Sequence, residues 1–377
     1  MGWWIDGPPS LALSLPPGWL PSRPNGGWAY RDRIPPAAAG LGVVAFYAGR
    51  YGHSSAAAWE RRLTAGEISR NGLPLRADAV LAGGERLVWQ RPPWPEPAVP
   101  AHWAVIHDDG DLLVIDKPSG LPVLPAGGFL EHTVLRLLER RHGDDPAGVP
   151  RPVHRLGRFT SGLLVCARRP ATRAWLSAQL RESTGSLASG ASGGVGGGEA
   201  GGVGGGAPPC RKLYRALLVP GRLALAAGDS LAITTPIGRR PHPPLGEIWC
   251  AAEAGDPAAL AALAAHSQLT LLESDGEADL VEVAIVSGRP HQIRIHCAAI
   301  GVPLLGDPLY GPGGRARPGA LPGEGGYRLQ ARWLRLHHPE GSVLELEAPA
   351  AEGLGTTAER PAAQASTERP SGGGPQD

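Results

Sequence analysis

The chain is expected to fold as an α+β protein built on a mixed sheet, with a small helix-and-hairpin module ahead of it. Three observations predict this. Apolar runs of strand length recur at Leu112–Ile115, Leu163–Ala167, Arg211–Val219, Leu280–Val286, Arg328–Leu336 and Ser342–Glu347. Helical spacing appears between them irregularly, not in the strict strand–helix alternation of a parallel fold. The chain has 377 residues, 42% of them apolar, enough for two domains and a sizeable core.

Residues 1–48 are rich in Pro, Gly and Trp and show no period; Trp3, Trp4, Trp19 and Trp28 suggest an arm that packs on something. Residues 49–98 read as the small module and a linker. In SAAAWERRLTAGEI a serine opens a helix carrying Trp59, Leu63 and Ile68. Asn71-Gly72 marks a turn. Ala79–Leu81 and Arg86–Trp89 are short strands, and RPPWPEPAVP is a stiff, Pro-rich linker. The larger domain is expected over 99–350, with helices at Thr133–Arg141 and Ala171–Arg181. It is interrupted at 183–209, where 12 of 27 residues are glycine and a disordered insertion is expected. A disordered tail is expected over 351–377.

The 55 Gly and 40 Pro residues make up about a quarter of the chain, and they concentrate in these segments. Cys166, Cys210, Cys250 and Cys297 are far apart with no CxxC pair, so neither a zinc site nor a disulfide framework is expected; reduced thiols point to the cytoplasm. The first residues, MGWWIDGPPS, lack the basic and apolar regions of a signal peptide. No apolar run approaches the roughly 20 residues that span a bilayer, so no membrane partner is expected.

The formal net charge is only +1, but its distribution is uneven. Between Arg151 and Arg215 stand ten Arg or Lys and two acidic residues. VHRLGR, CRKLYR and GRPHQIRIH are all basic, and Tyr214 lies among them. Cations for phosphates and a flat ring for a base are what RNA requires. An ordinary solvated Arg-rich surface would look the same by charge alone. An enzyme using His154 or His291 as its base would want an acidic or Cys partner nearby, and none is at hand. Asp307, in Gly-Asp-Pro, suits a turn cap better than a catalytic acid.

These residues also carry a family pattern. From about Ala104 to Leu346 the chain resembles the RluA-like pseudouridine synthases. LLVIDKPSGLPVLP, HRLGRFTSGLLVCAR, RKLYRALLVPG, GRPHQIRIHCAAIGVPLLGDPLYG and LQARWLRLHHP follow that family's blocks in order. More weakly, the module at 54–90 resembles the alpha-L RNA-binding motif, with Arg61, Arg62 and Arg70 facing phosphates. The resemblance implies a mixed, largely antiparallel sheet, and isomerisation of uridine in rRNA or tRNA to pseudouridine. The C1′–N1 bond breaks and is remade through C5, without metal or cofactor; separately, a monomer is expected. The base must leave the stack, at a cost of a few kcal/mol. By the same resemblance, Arg155 fills the gap left by the flipped base, Tyr214 stacks on it and moves a proton, and Arg294 pairs with a catalytic Asp. His154, Arg158, Thr160, Lys117, Lys212, Arg289 and His291 are the further RNA contacts it implies.

One position departs from the pattern. The family's catalytic Asp follows His-Arg-Leu, and here that position is Gly157, with Arg158, Thr160 and Ser161 holding the register. Glycine supplies neither a nucleophile nor an acid–base group. Asp116, Glu131 or Asp307 could supply the carboxylate. Alternatively the chain is a catalytically impaired relative that binds RNA or assists ribosome assembly.

Overall fold

The computed structural model describes residues 16–182 and 210–360, apart from positions 53, 222, 244, 253–254, 256–260 and 286–287. Trp3, Trp4, the Gly-rich segment 183–209 and the tail beyond 360 lie outside the described residues. The tail up to Arg360 is packed: Leu354 is buried and Ala351 N donates to Gln330 Oε1.

The small module combines β1 (Trp28–Arg33), α1 (Val43–Arg50), α2 (Ala56–Thr64), β2 (Ile68–Arg70), β3 (Leu73–Leu75) and β4 (Arg86–Arg91). Ser55 caps α2 by accepting from Ala58 N, as the sequence signal predicts. The four strands form one sheet in the order β1-β4-β2-β3. The expected boundary at 48/49 therefore falls inside α1, and the second half of the arm belongs to the module. The reason is apolar: Ile34, Val43, Phe46 and Tyr47 pack on Trp59, Leu63 and Trp89 in a single core. Ala79–Leu81, expected as a strand, contributes only the bridge from Val80 to Gly42.

The Pro-rich linker is tied down on both sides. Trp19–Leu20 pairs with Val99–Pro100, and Arg23–Pro24 with Pro95–Glu96. The buried Glu96 accepts from Asn25 Nδ2, Glu131 N and His132 N, which joins arm, linker and large domain.

The large domain is built on a ten-stranded sheet. Its main strands are β5 (Ala104–Asp108), β6 (Leu112–Lys117), β7 (Thr160–Ala167), β8 (Arg211–Leu218), β9 (Ser230–Ile233), β10 (Ser267–Ser274), β11 (Asp279–Ile285), β12 (Leu329–His337) and β13 (Val343–Glu347). They run in the order β9-β10-β11-β8-β12-β7-β6-β5, with β13 beside β12. The helices are α3 (Val134–Arg141), α4 (Pro170–Glu182) and α5 (Gln292–Ala299). GRPHQIRIH thus supplies a helix, α5.

Most neighbouring strands are antiparallel; β7 and β12 pair in parallel over Thr160–Gly162 and Leu329–Ala331. That seam joins two half-sheets, and Ala331, Leu334 and Leu336 of β12 cross it to pack with β6 and β7. One core gathers β6, β7, α3 and α4; the other gathers β8, β10, β11 and α5; Tyr214 touches both. Every residue of β7 is buried, as expected for a continuous apolar run in mid-sheet. At the seam a side chain on Gly162 would stand 2.2 Å from the Ala331 carbonyl oxygen, and its φ of +96° suits glycine alone. Gly162→Ala is expected to destabilise the fold by about 3 kcal/mol, measured by denaturant unfolding.

Candidate active site

The loop before β7 is held by the loop after β6. Lys117, at the end of β6, is fully buried, and its Nζ donates to the carbonyls of Pro118 (2.8 Å), Leu121 (2.8 Å) and Arg158 (3.1 Å). Burial pushes its ammonium down to about 7. Gly120 N donates to Arg158 O, Arg158 Nε donates back to Gly120 O, and Ser119 Oγ donates to Phe159 O. Lys117 therefore fixes the loop from inside and has no donor left for a phosphate, which corrects its expected role. Arg158 lies on the Phe129 and Phe159 rings and shares in the same clamp.

Beyond this clamp opens a cleft of about 430 Å3, walled by the loop before β7 and by residues of β8, α5 and β12. Arg155 is exposed at its edge and, among the described residues, has no hydrogen-bond or ion-pair partner. Tyr214 and Trp333 present rings to it, and burial raises the Tyr214 phenol well above its ordinary value. Lys212 also lines the cleft but spends a donor on Leu180 O (2.8 Å). Arg289 lines it with its Nε on Ala264 O. Thr160 is buried; its N–H donates to Gly157 O and its hydroxyl lies 3.4 Å from Tyr327 Oη. It shapes the loop from within.

The two cleft histidines are neutral. His154 Nε2 accepts from Val165 N (3.0 Å); burial, with Lys212 nearby, pushes the ring down to about 3. His291, at φ +55°, is held by Tyr310. The Tyr310 hydroxyl donates its one hydrogen to Trp249 O (2.7 Å), so it accepts from His291 Nδ1 (2.8 Å). Burial, then Arg294, pushes His291 down to about 3 as well.

Arg294, on α5, is buried and bound through Nε and Nη2 to both oxygens of Asp307, each at 2.7 Å. Asp307 also accepts from Leu309 N and Tyr310 N, so it caps its turn as the Gly-Asp-Pro sequence suggests. With its oxygens so committed, Asp307 answers the Arg294 cation and has little capacity to act as a base. Asp116 lines a separate, smaller hollow of about 220 Å3, and Glu131 pairs with Arg140. Among the described residues that line the main cleft there is no carboxylate.

At the position where the resemblance places an Asp, Gly157 has an unstrained backbone. A Cβ added to it would stand 2.3 Å from Tyr327 Oη and 3.2 Å from Thr160 Oγ1. Its φ does not call for glycine, but any side chain here would require the Tyr327 hydroxyl to shift. Tyr327 was missed from sequence. It lies just ahead of the LQARWLRL block with no motif of its own, and only the return of β12 beside β7 brings it to Gly157.

In the small module, Arg61 is exposed. Arg62 lies between the rings of Trp59 (4.3 Å) and Trp89 (4.5 Å) and donates to Ser54 Oγ, so it serves the module's core, a correction to its expected phosphate contact. Arg70 donates to Val80 O and remains a third exposed.

Comparison with known proteins bears on this cleft directly. The family model for RNA pseudouridylate synthase matches residues 111–186. An uncharacterized RNA pseudouridine synthase of Synechocystis sp. is 40% identical over 81% of this chain and 93% of its own length. The chain belongs to the RNA pseudouridine synthase family. RNA pseudouridine synthase 5 of Oryza sativa subsp. japonica is 35% identical over 91% of the chain and 92% of its own length. Ribosomal large subunit pseudouridine synthase D of Pseudomonas aeruginosa is 30% identical over 76% and 81%. Within this RNA pseudouridine synthase the match of 111–186 spans the Lys117 clamp, the Arg155 loop and β7.

Asp307→Asn is expected to cost about 3–5 kcal/mol, because it leaves the Arg294 charge buried without its counter-ion; thermal unfolding measures it. The histidines set a pH dependence. Their folded values lie below the ordinary 6.5, so the unfolded chain binds the extra protons, and stability is lost as pH falls from 6.5 towards 3. Denaturant unfolding across that window should show up to one proton taken up for each of His154 and His291, and His154→Gln should remove one of them.

Proposed function

We propose that this protein isomerises uridine to pseudouridine in structured RNA, with ribosomal RNA the favoured substrate class. Family membership supports the activity, and the similarity to a ribosomal large subunit enzyme supports the substrate class. The observation that carries the reading is the cleft itself: a pocket of nucleotide size, with a partnerless Arg155 at its edge and the rings of Tyr214 and Trp333 inside. In this reading Arg155 enters the gap left by the flipped base, and Tyr214 stacks on the base. Arg289, Lys212, the exposed Arg61 and the part-exposed Arg70 meet phosphates, while Arg294 acts from behind through Tyr327 and Tyr310.

The absence of a carboxylate among the described cleft residues favours a second reading, a relative that binds and flips uridine without turnover. One experiment separates the two. Purified protein is incubated with uridine-labelled ribosomal and transfer RNA, and pseudouridine is scored by nucleoside analysis. Product in ribosomal RNA is expected. Tight, salt-sensitive binding without product would establish the second reading instead. Arg155→Ala is expected to lower the conversion rate by at least about tenfold, the loss of one cation placed to stabilise the flipped state.

A further inference from the structure

Pseudouridine formation moves one proton. Uridine carries hydrogen on C5 and none on N1; the product carries it on N1 and none on C5. An acid–base group must give a proton to the departing ring and take one from C5. Among the described residues the cleft offers no carboxylate for this. Tyr214, to which the resemblance gives proton movement, has its phenol raised by burial and is a poor acid; His154 uses Nε2 on Val165 N, and the His291 ring, facing Arg155 and Arg294, is a poor proton acceptor.

Tyr327 meets the requirement by position. Its side chain is buried, but it lines the cleft, and its hydroxyl stands directly in front of Gly157, where any other residue would cover it. Thr160 Oγ1, 3.4 Å away, orients the hydroxyl. The Arg294 guanidinium carbon lies 4.1 Å from the ring centroid and holds the ring in place.

We infer that Tyr327 is the acid–base residue of this cleft, its hydroxyl replacing the carboxylate that Gly157 cannot provide. The inference rests on the proposed pseudouridine synthesis. As the C1′–N1 bond breaks, its electron pair goes to the uracil ring, and the Tyr327 O–H proton passes to uracil O2. A tyrosinate remains beside Arg294. The ring then turns and C5 bonds to C1′ in the place N1 has left. The C5 proton passes to the tyrosinate, and the proton first donated settles on N1. Atoms and charge balance, and the enzyme is restored.

The test uses the full chain with labelled ribosomal RNA under single-turnover conditions. Tyr327→Phe should lower the rate by at least about 100-fold while RNA affinity stays within about threefold, the signature of lost general acid–base catalysis. Site-specific 3-fluorotyrosine at position 327, nearly isosteric but more acidic, should move the pH–rate profile to lower pH, which a purely structural role would not do. Gly157→Asp alone should give no gain, because its Cβ must displace the hydroxyl. Conversion by Tyr327→Phe within a few-fold of the unaltered chain, or a pH profile unmoved by fluorination, would overturn the inference alone. An unaltered chain that binds RNA and forms no pseudouridine would overturn the function itself, and this inference with it. Should Tyr327→Phe fail to fold, the fluorotyrosine profile decides.

Discussion

The cleft floor depends on the ion pair of Arg294 with Asp307. A guanidinium this deeply buried is tolerable only when its charge and donors are met in place, and two 2.7 Å bonds to one carboxylate meet them. What the pair organises extends well beyond itself. Asp307 fixes the turn that carries Tyr310, Tyr310 holds the His291 ring, and Arg294 lies against Tyr327, whose hydroxyl fronts Gly157. One buried pair thus sets the orientation of Tyr310 and of two side chains on the cleft wall, His291 and Tyr327.

A similar economy operates on the opposite wall. Lys117 is a cation used as a three-pronged donor to backbone, and it pins the Arg155 loop to the strand before it. The cleft keeps a positive character through residues that divide into two kinds. Arg155 is exposed and partnerless, ready for an anionic ligand. Lys117, Arg294 and Arg62 are consumed by structure. Charge density along the sequence does not distinguish the two kinds, because desolvation and partners are decided by packing.

That division marks how far the sequence could be read. Strands and helices with strong periodicity, such as Leu163–Ala167 and Thr133–Arg141, were legible because burial imposes their pattern locally. Ser55 was legible as a cap for the same reason, whereas the Thr133 cap emerges only in the structure. The boundary within α1 was not, because Val43 and Phe46 find their partners only when Trp59 and Trp89 arrive from later in the chain. The motifs located Arg155, Tyr214 and Arg294 at one cleft. They could not show that Arg294 would find Asp307, that Lys117 would point inward, or that Tyr327 would fill the space beside Gly157. Each of those outcomes is a contact between distant segments, invisible to spacing.

The parallel seam between β7 and β12 has a kinetic meaning. Each half-sheet contains antiparallel pairs between strands near in sequence, such as β10 with β11, which close cheaply. The seam pairs Gly162 with Ala331, the most sequence-distant strand pair of the sheet. The cleft straddles that seam. It comes into being only when the two sides of the seam meet, and because Ala331, Leu334 and Leu336 of β12 share a core with β6 and β7, parting the two strands would open that core as well. For this chain, the capacity to engage a nucleotide therefore depends on the most sequence-distant strand pair of its sheet.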